Sequence, residues 1–179
     1  MITGWFYLLW WWLITTLLSV LAFPVTRRLF INFKGHGWGF SRIIGIILAA
    51  FPVWLLAGLN ILPFFQGFIF LVLAAVFAAV WFKHSDHINN LKTFWTENKK
   101  HVLRVELVFL GMMLFFGTIR MLNPDIAGTE KLPDFAFING ILNSKWFPPM
   151  DVWFSGATIN YFYLGHYFSS FLIKLSFVD

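Results

Sequence analysis

The chain contains no cysteine. That excludes a disulfide framework and thiol-based metal or redox chemistry, and leaves the redox compartment undetermined. Charge is scarce as well: Asp, Glu, Lys and Arg make up 12% of the 179 residues, about half the roughly 25% of soluble domains. No Walker loop, dinucleotide fingerprint or internal repeat is present. The thirteen Lys and Arg residues give a net charge of +5 but form no sustained basic stripe of the kind nucleic acid requires.

What the sequence does have is apolar bulk, with 59% hydrophobic and 21% aromatic residues gathered in long blocks. A small globule could not cover such blocks with polar surface, so they must face lipid. A transmembrane helix needs ~20 mostly apolar residues. Four blocks meet that need: Trp5 to Phe23, Ile43 to Leu62, Phe64 to Phe82 and Val102 to Ile119. A fifth, Tyr161 to Val178, is interrupted by His166 and Lys174. It counts as spanning because Lys174 sits near its end, where a long side chain snorkels to the headgroups. The expected fold is all-α: a polytopic membrane protein with about five transmembrane helices in a single membrane domain over residues 1–179. The first block has no basic region before it and Arg27 and Arg28 after it, so it reads as a retained helix rather than a cleaved signal.

Lys and Arg near helix ends are retained on the cytoplasmic side. Residues 24–42 carry Arg27, Arg28, Lys34 and Arg42 with no acid, and residues 83–104 carry five basic residues against Asp86 and Glu97. Both segments are expected inside. The "NILPFFQ" turn is uncharged, and residues 120–160 carry three basic and four acidic residues. These are expected outside, together with the N-terminus, in the plasma membrane.

The segment 120–160 is far longer than the roughly 2–8 residues that usually connect bundled helices. Phe135, Phe137, Trp146, Phe147, Trp153 and Phe154 give it too much apolar surface to stay solvated. Pro133 suits a first helical turn, and Phe135, Ile138, Ile141 and Leu142 recur at helical spacing. A short amphipathic helix lying in the membrane interface is expected. Asp134 then falls in the first turn, where the helix dipole favours a carboxylate, with Glu130 just ahead of it. Two readings stay open: a membrane-edge acid/base pair, or a helix terminus completed by Asp134 while Glu130 pairs with Lys131 or Arg120.

Beyond this helix "FPPMDVWFSG" reads as its end and a rigid turn. Tyr161, Tyr163, Tyr167 and Trp153 fit an interfacial aromatic belt. Asn160 and His166 fit it less well, and Tyr163, His166 and Tyr167 share a face at helical spacing, which suggests a polar stripe entering the bundle. His84, Asp86 and His87 read as solvated residues of a charged loop rather than metal ligands; no clear ligand motif supports a divalent metal. Arg104 and Glu106 read as structural, Glu106 pairing with a basic neighbour or capping a helix start. Gly45, Pro52 and Gly58 are of the kind transmembrane helices use for close packing and kinks.

The motifs "NPDIAGTEKLPDFAFINGIL", "FPPMDVWFSG" and "INYFYLGHY", with "GHGWGFSRIIGIILAAFPVWLL" upstream, resemble the signature of the YYY-domain membrane proteins of bacteria and archaea. The resemblance covers most of residues 30–175. Phe162 replaces one of the three successive tyrosines of that signature, so a hydroxyl there is not essential in this chain. Family members are longer and have further membrane helices, so the resemblance implies that this chain corresponds to their N-terminal part.

The family is in turn similar in layout to GT-C glycosyltransferases, whose first large external loop carries an acidic motif, an amphipathic helix and prolines. That layout implies transfer of a sugar from a polyprenyl-phosphate carrier to an acceptor hydroxyl. Glu130 or Asp134 would be the acceptor base and Asp125 a supporting acid. Arg120, Lys131 and His166 would lie near the lipid phosphate, and Asn160, Tyr161 and Tyr163 would bind sugar. The partners implied are the lipid bilayer, a lipid-linked sugar and a second membrane chain supplying further helices, with no nucleic acid. The alternative is a non-enzymatic membrane component, an assembly partner or transporter part, that docks through the 120–160 segment.

Overall fold

The computed structural model describes residues 2–83, 91–126, 128 and 130–178. His84, Asp86 and His87 lie outside the described residues. Among the described residues six α-helices follow in order: α1 (Ile2–Leu29), α2 (Trp38–Gly58), α3 (Gln66–Lys83), α4 (Leu91–Leu122), α5 (Lys131–Asn143) and α6 (Leu164–Ser176), with a 3-10 turn at Lys34–Gly37. No strand occurs among the described residues; one isolated antiparallel bridge joins Met150 to Thr158.

Four of the helices, α1 to α4, are long and apolar enough to cross a membrane. The protein is an integral membrane protein of the polytopic, all-helical class. The helices overrun the apolar blocks that foreshadow them: α1 by several residues at each end and α4 by eleven residues at its start, Leu91 against Val102. At 1.5 Å per residue α1 and α4 are ~42 and ~48 Å long, beyond the ~30 Å hydrocarbon core. Nothing requires a helix to stop where the lipid does, because its hydrogen bonds are internal. Much of the stretch read as a loop over residues 83–104 is therefore helix, and Arg42 lies in the second turn of α2 rather than in a connection.

Within the fifth expected span, Tyr161 to Val178, helix α6 has 13 residues and starts at Leu164. The residues before it are held out of the helix by the Met150–Thr158 bridge and by the Ile159 amide, which donates to the Pro149 carbonyl at 2.9 Å.

The chain's internal packing falls into two compact units, Met1–Ala49 with Ala74–Leu122, and Ala50–Leu73 with Asn123–Asp179. In the first, Gly45 lets α2 press against α1: a Cβ there would collide with the backbone carbonyl of Leu18. Phe23, Phe94 and Val102 form a buried cluster with Trp38 against it. Gly35 and Gly37 take positive φ values of 65° and 75° in the turn before α2, a conformation open to glycine at no steric cost.

The second unit is built on aromatic rings. Phe64, Tyr167 and Phe171 are fully buried, and the Phe64 ring lies 5.3 Å from Phe147 and 5.5 Å from Tyr167. The Phe64 amide donates to the Lys145 carbonyl and the Phe64 carbonyl accepts from Lys174 Nζ, each at 2.8 Å. Those two bonds tie the α2–α3 turn to both the end of α5 and the end of α6.

Candidate functional site

Helix α5 forms where expected, with Pro133 and Asp134 in its first turn. It ends at Asn143, where the Ser144 amide closes the last turn onto the Ile141 carbonyl. The prolines follow that end rather than cause it: Pro148 and Pro149 lie beyond Trp146, and the Phe147–Pro148 peptide is cis. The buried face also differs in part. Ile141 is fully buried and Ile138 and Leu142 are partly so, but Phe135 is 51% exposed. Phe137 turns inward instead, because its ring meets three partners: Trp153 at 5.0 Å edge-on, Tyr161 at 5.9 Å stacked, and His166 at 5.3 Å.

Through Phe137 this aromatic cluster adjoins an acid–imidazole pair. His166 Nε2 lies 2.9 Å from Asp134 Oδ1, joining the first turn of α6 to the first turn of α5. The two groups differ in access: the Asp134 side chain is 57% exposed and that of His166 18%. The other imidazole nitrogen, Nδ1, is buried with no hydrogen-bond partner among the described residues. The pair is held from behind by Ser170, whose hydroxyl donates to the carbonyls of His166 and Ile138.

The predicted polar stripe on α6 divides. His166 faces Asp134, whereas the Tyr167 hydroxyl donates to the Ala50 carbonyl at 2.6 Å and the Tyr163 hydroxyl accepts from Trp54 Nε1 at 3.1 Å, both on the end of α2. Tyr163 and Tyr167 are thus anchors of α6 against α2, and Tyr161 alone of the three faces the acid–imidazole pair through Phe137.

The remaining predicted residues are distributed unevenly. Glu130 is the N-cap residue of α5 but makes no side-chain cap bond; its carbonyl accepts from the Asp134 amide at 3.1 Å. Lys131 Nζ donates to the Asp125 carbonyl at 3.2 Å, so Lys131 is not the partner of Glu130. Asn160 is exposed beside Tyr161. Arg120 ends α4 in the other unit. Among the described residues no group of three His, Asp or Glu side chains gathers as metal ligands would.

The sequence reading missed a second polar centre. Arg42 on α2 and Glu106 on α4 form an ion pair at 2.5 Å, with side chains 9% and 13% exposed. Glu106 also accepts from the indole N–H of Trp12 at 3.2 Å and of Trp38 at 2.9 Å. Arg42 donates further to Thr15, Thr16 and the Trp12 carbonyl, and its guanidinium lies 3.8 Å from the centre of the Phe109 ring. Glu106 does pair with a base, as expected, but 15 residues into α4 rather than at a helix start. Arg42 carries no local signal, since it follows glycines and aromatics that resemble a loop.

A model of uncharacterised membrane proteins, DUF2298, matches residues 48–179. The chain belongs to that family. The match takes in the end of α2, α3, α4, α5 and α6, and hence all of the second unit with its acid–imidazole pair. No curated protein and no solved structure matches the chain.

Proposed function

We propose that this DUF2298 protein is a membrane glycosyltransferase of the GT-C kind, moving a sugar from a polyprenyl-phosphate carrier to an acceptor hydroxyl on the external face. The observation that carries the reading is the Asp134–His166 pair, an accessible carboxylate held by a largely buried imidazole that packs on Phe137, itself in contact with Trp153 and Tyr161. A carboxylate in the first turn of a helix is favoured by the dipole, and an accessible carboxylate suits a base.

The chemistry follows from access. Asp134 uses Oδ1 for His166 and keeps Oδ2 for substrate; His166, with Nε2 on Asp134 and Nδ1 buried, is a positioning residue. The acceptor hydroxyl gives its proton to Asp134 as its oxygen bonds to the sugar's anomeric carbon. The anomeric C–O bond to phosphate breaks, and polyprenyl phosphate leaves with the electron pair. Lys131, one turn before Asp134, offers a cation for the phosphate. Glu130 and Asp125 support the charge balance at the helix start, and Tyr161 with Asn160 contacts the sugar.

The test is sugar transfer from a polyprenyl-phosphate donor by the full protein in proteoliposomes. Asp134→Asn is expected to lower transfer by roughly the 10²–10⁴-fold that general-base catalysis contributes, and His166→Gln by less. Full activity of Asp134→Asn would sink the assignment. A second reading is favoured by Phe154 and Phe162, 71% and 88% exposed on the same segment: a surface on which a further membrane chain docks. Under that reading Phe154→Ser with Phe162→Ser abolishes co-purification of the partner and Asp134→Asn changes nothing.

A further inference from the structure

Helix α5 has two working faces, and the one turned away from the acid–imidazole pair borders a cavity. At about 100° per residue, Asn139 and Asn143 lie ~140° and ~180° around the helix from Asp134. Together with Ala136 they form one wall of a cleft whose other wall is the segment 144–152, with Lys145, Trp146 and Asp151. Its volume is about 640 Å³, inside the roughly 300–1,000 Å³ of small-molecule sites. All its lining residues belong to the second unit.

The polar atoms of this cleft are arranged rather than scattered. Asn139 Nδ2 donates to the Phe135 carbonyl at 2.8 Å, and Asn143 Nδ2 donates to the Asn139 carbonyl at 3.0 Å. Each amide is thereby fixed through its nitrogen, which leaves its Oδ1 as an acceptor with no donor among the described residues. Asp151 is fixed in the same manner, one carboxylate oxygen accepting the Trp153 and Phe154 amides at 2.8 and 3.0 Å while the other stays open. Lys145 supplies a donor, and the indole of Trp146, 39% exposed, supplies an apolar plane. Gly140 keeps the cleft narrow at its base, since a Cβ there would stand 2.6 Å from Val152 Cγ1.

We propose that this cleft binds a neutral pyranose carbohydrate. Three fixed acceptors about an aromatic plane match a ring that carries hydroxyl donors at its rim and C–H groups on its face. Lys145 and Asp151 offset each other in charge, so the cleft favours an uncharged ligand over an anion. The site is separate from the acid–imidazole pair, and sugar binding here does not depend on transfer there. It would hold a sugar portion of donor, acceptor or glycan product that extends past α5.

Saturation-transfer NMR on the full protein in nanodiscs tests this, with maltose, methyl mannoside and N-acetylglucosamine as probes and inorganic phosphate as the anionic control. At least one sugar is expected to bind at millimolar concentration and phosphate not to compete. The Asn139→Ala, Asn143→Ala double variant should weaken binding about tenfold or more, and Ala136→Phe, which fills the cleft, should abolish it. Asp134→Asn should leave binding intact, which separates a failure here from a failure of the transfer reading. Absence of binding by the unaltered protein, binding untouched by both cleft variants, or displacement of the sugar by phosphate would each overturn the proposal. A melting temperature equal to that of the unaltered protein shows that a silent variant is folded; if Ala136→Phe does not fold, the Asn pair decides.

Discussion

Replacing Glu106 by Leu should strongly destabilise the first unit. The substitution strands Arg42, whose side chain is 9% exposed, and removes the acceptor of two indole N–H groups, Trp12 and Trp38. Breaking a buried pair by deleting one partner costs roughly 3–5 kcal/mol, because an unpaired buried charge is left behind. Arg42→Met should cost a similar amount, since Glu106 keeps its indole donors but loses its counter-charge. Removing both charges strands neither, so the double variant should fall no lower than either single one. Independent effects would sum to roughly 6–10 kcal/mol; the coupling expected is therefore about 3 kcal/mol or more. Reversible unfolding in bicelles, followed by steric trapping for the parent and the three variants, measures it. Single variants within about 1 kcal/mol of the parent, or a double variant equal to the sum, would refute the reasoning.

Two further outcomes follow. Gly45→Val should disrupt the α1–α2 contact, because its Cβ would meet the Leu18 backbone, which cannot swing aside as a side chain would; a lowered melting temperature that Gly58→Ala, in open space, does not share would confirm it. The proposed orientation predicts that a cysteine at Asn160 reacts with a membrane-impermeant maleimide added outside intact cells and a cysteine at Lys34 only after lysis. The reverse pattern would invert the topology.

The four long apolar helices and helix α5 were legible because hydrophobic length and 3.6-residue spacing are local properties. Asp134 in the first turn of α5 was readable for the same reason, and so was Glu106 needing a base. Which base was not: Arg42 stands 64 residues away and is brought to Glu106 only by the packing of α1, α2 and α4. The start of α6 at Leu164 was likewise hidden, since Tyr161 to Tyr163 carry the hydrophobicity of a span, but Tyr161 stacks on Phe137 and Tyr163 accepts from Trp54. Helical spacing put Tyr163, His166 and Tyr167 together; the fold assigns them to different neighbours because α5 and the end of α2 press on different sides of α6.

The central claim is that Asp134 accepts the proton of an acceptor hydroxyl while a sugar leaves polyprenyl phosphate. The most direct measurement follows polyprenyl phosphate released and glycoside formed by the full protein in proteoliposomes, for the parent and for Asp134→Asn. The account predicts one polyprenyl phosphate released per glycoside formed by the parent, and loss of both products together in the variant. Equal turnover by the two proteins, or no turnover by the parent with any polyprenyl-phosphate sugar, would contradict it.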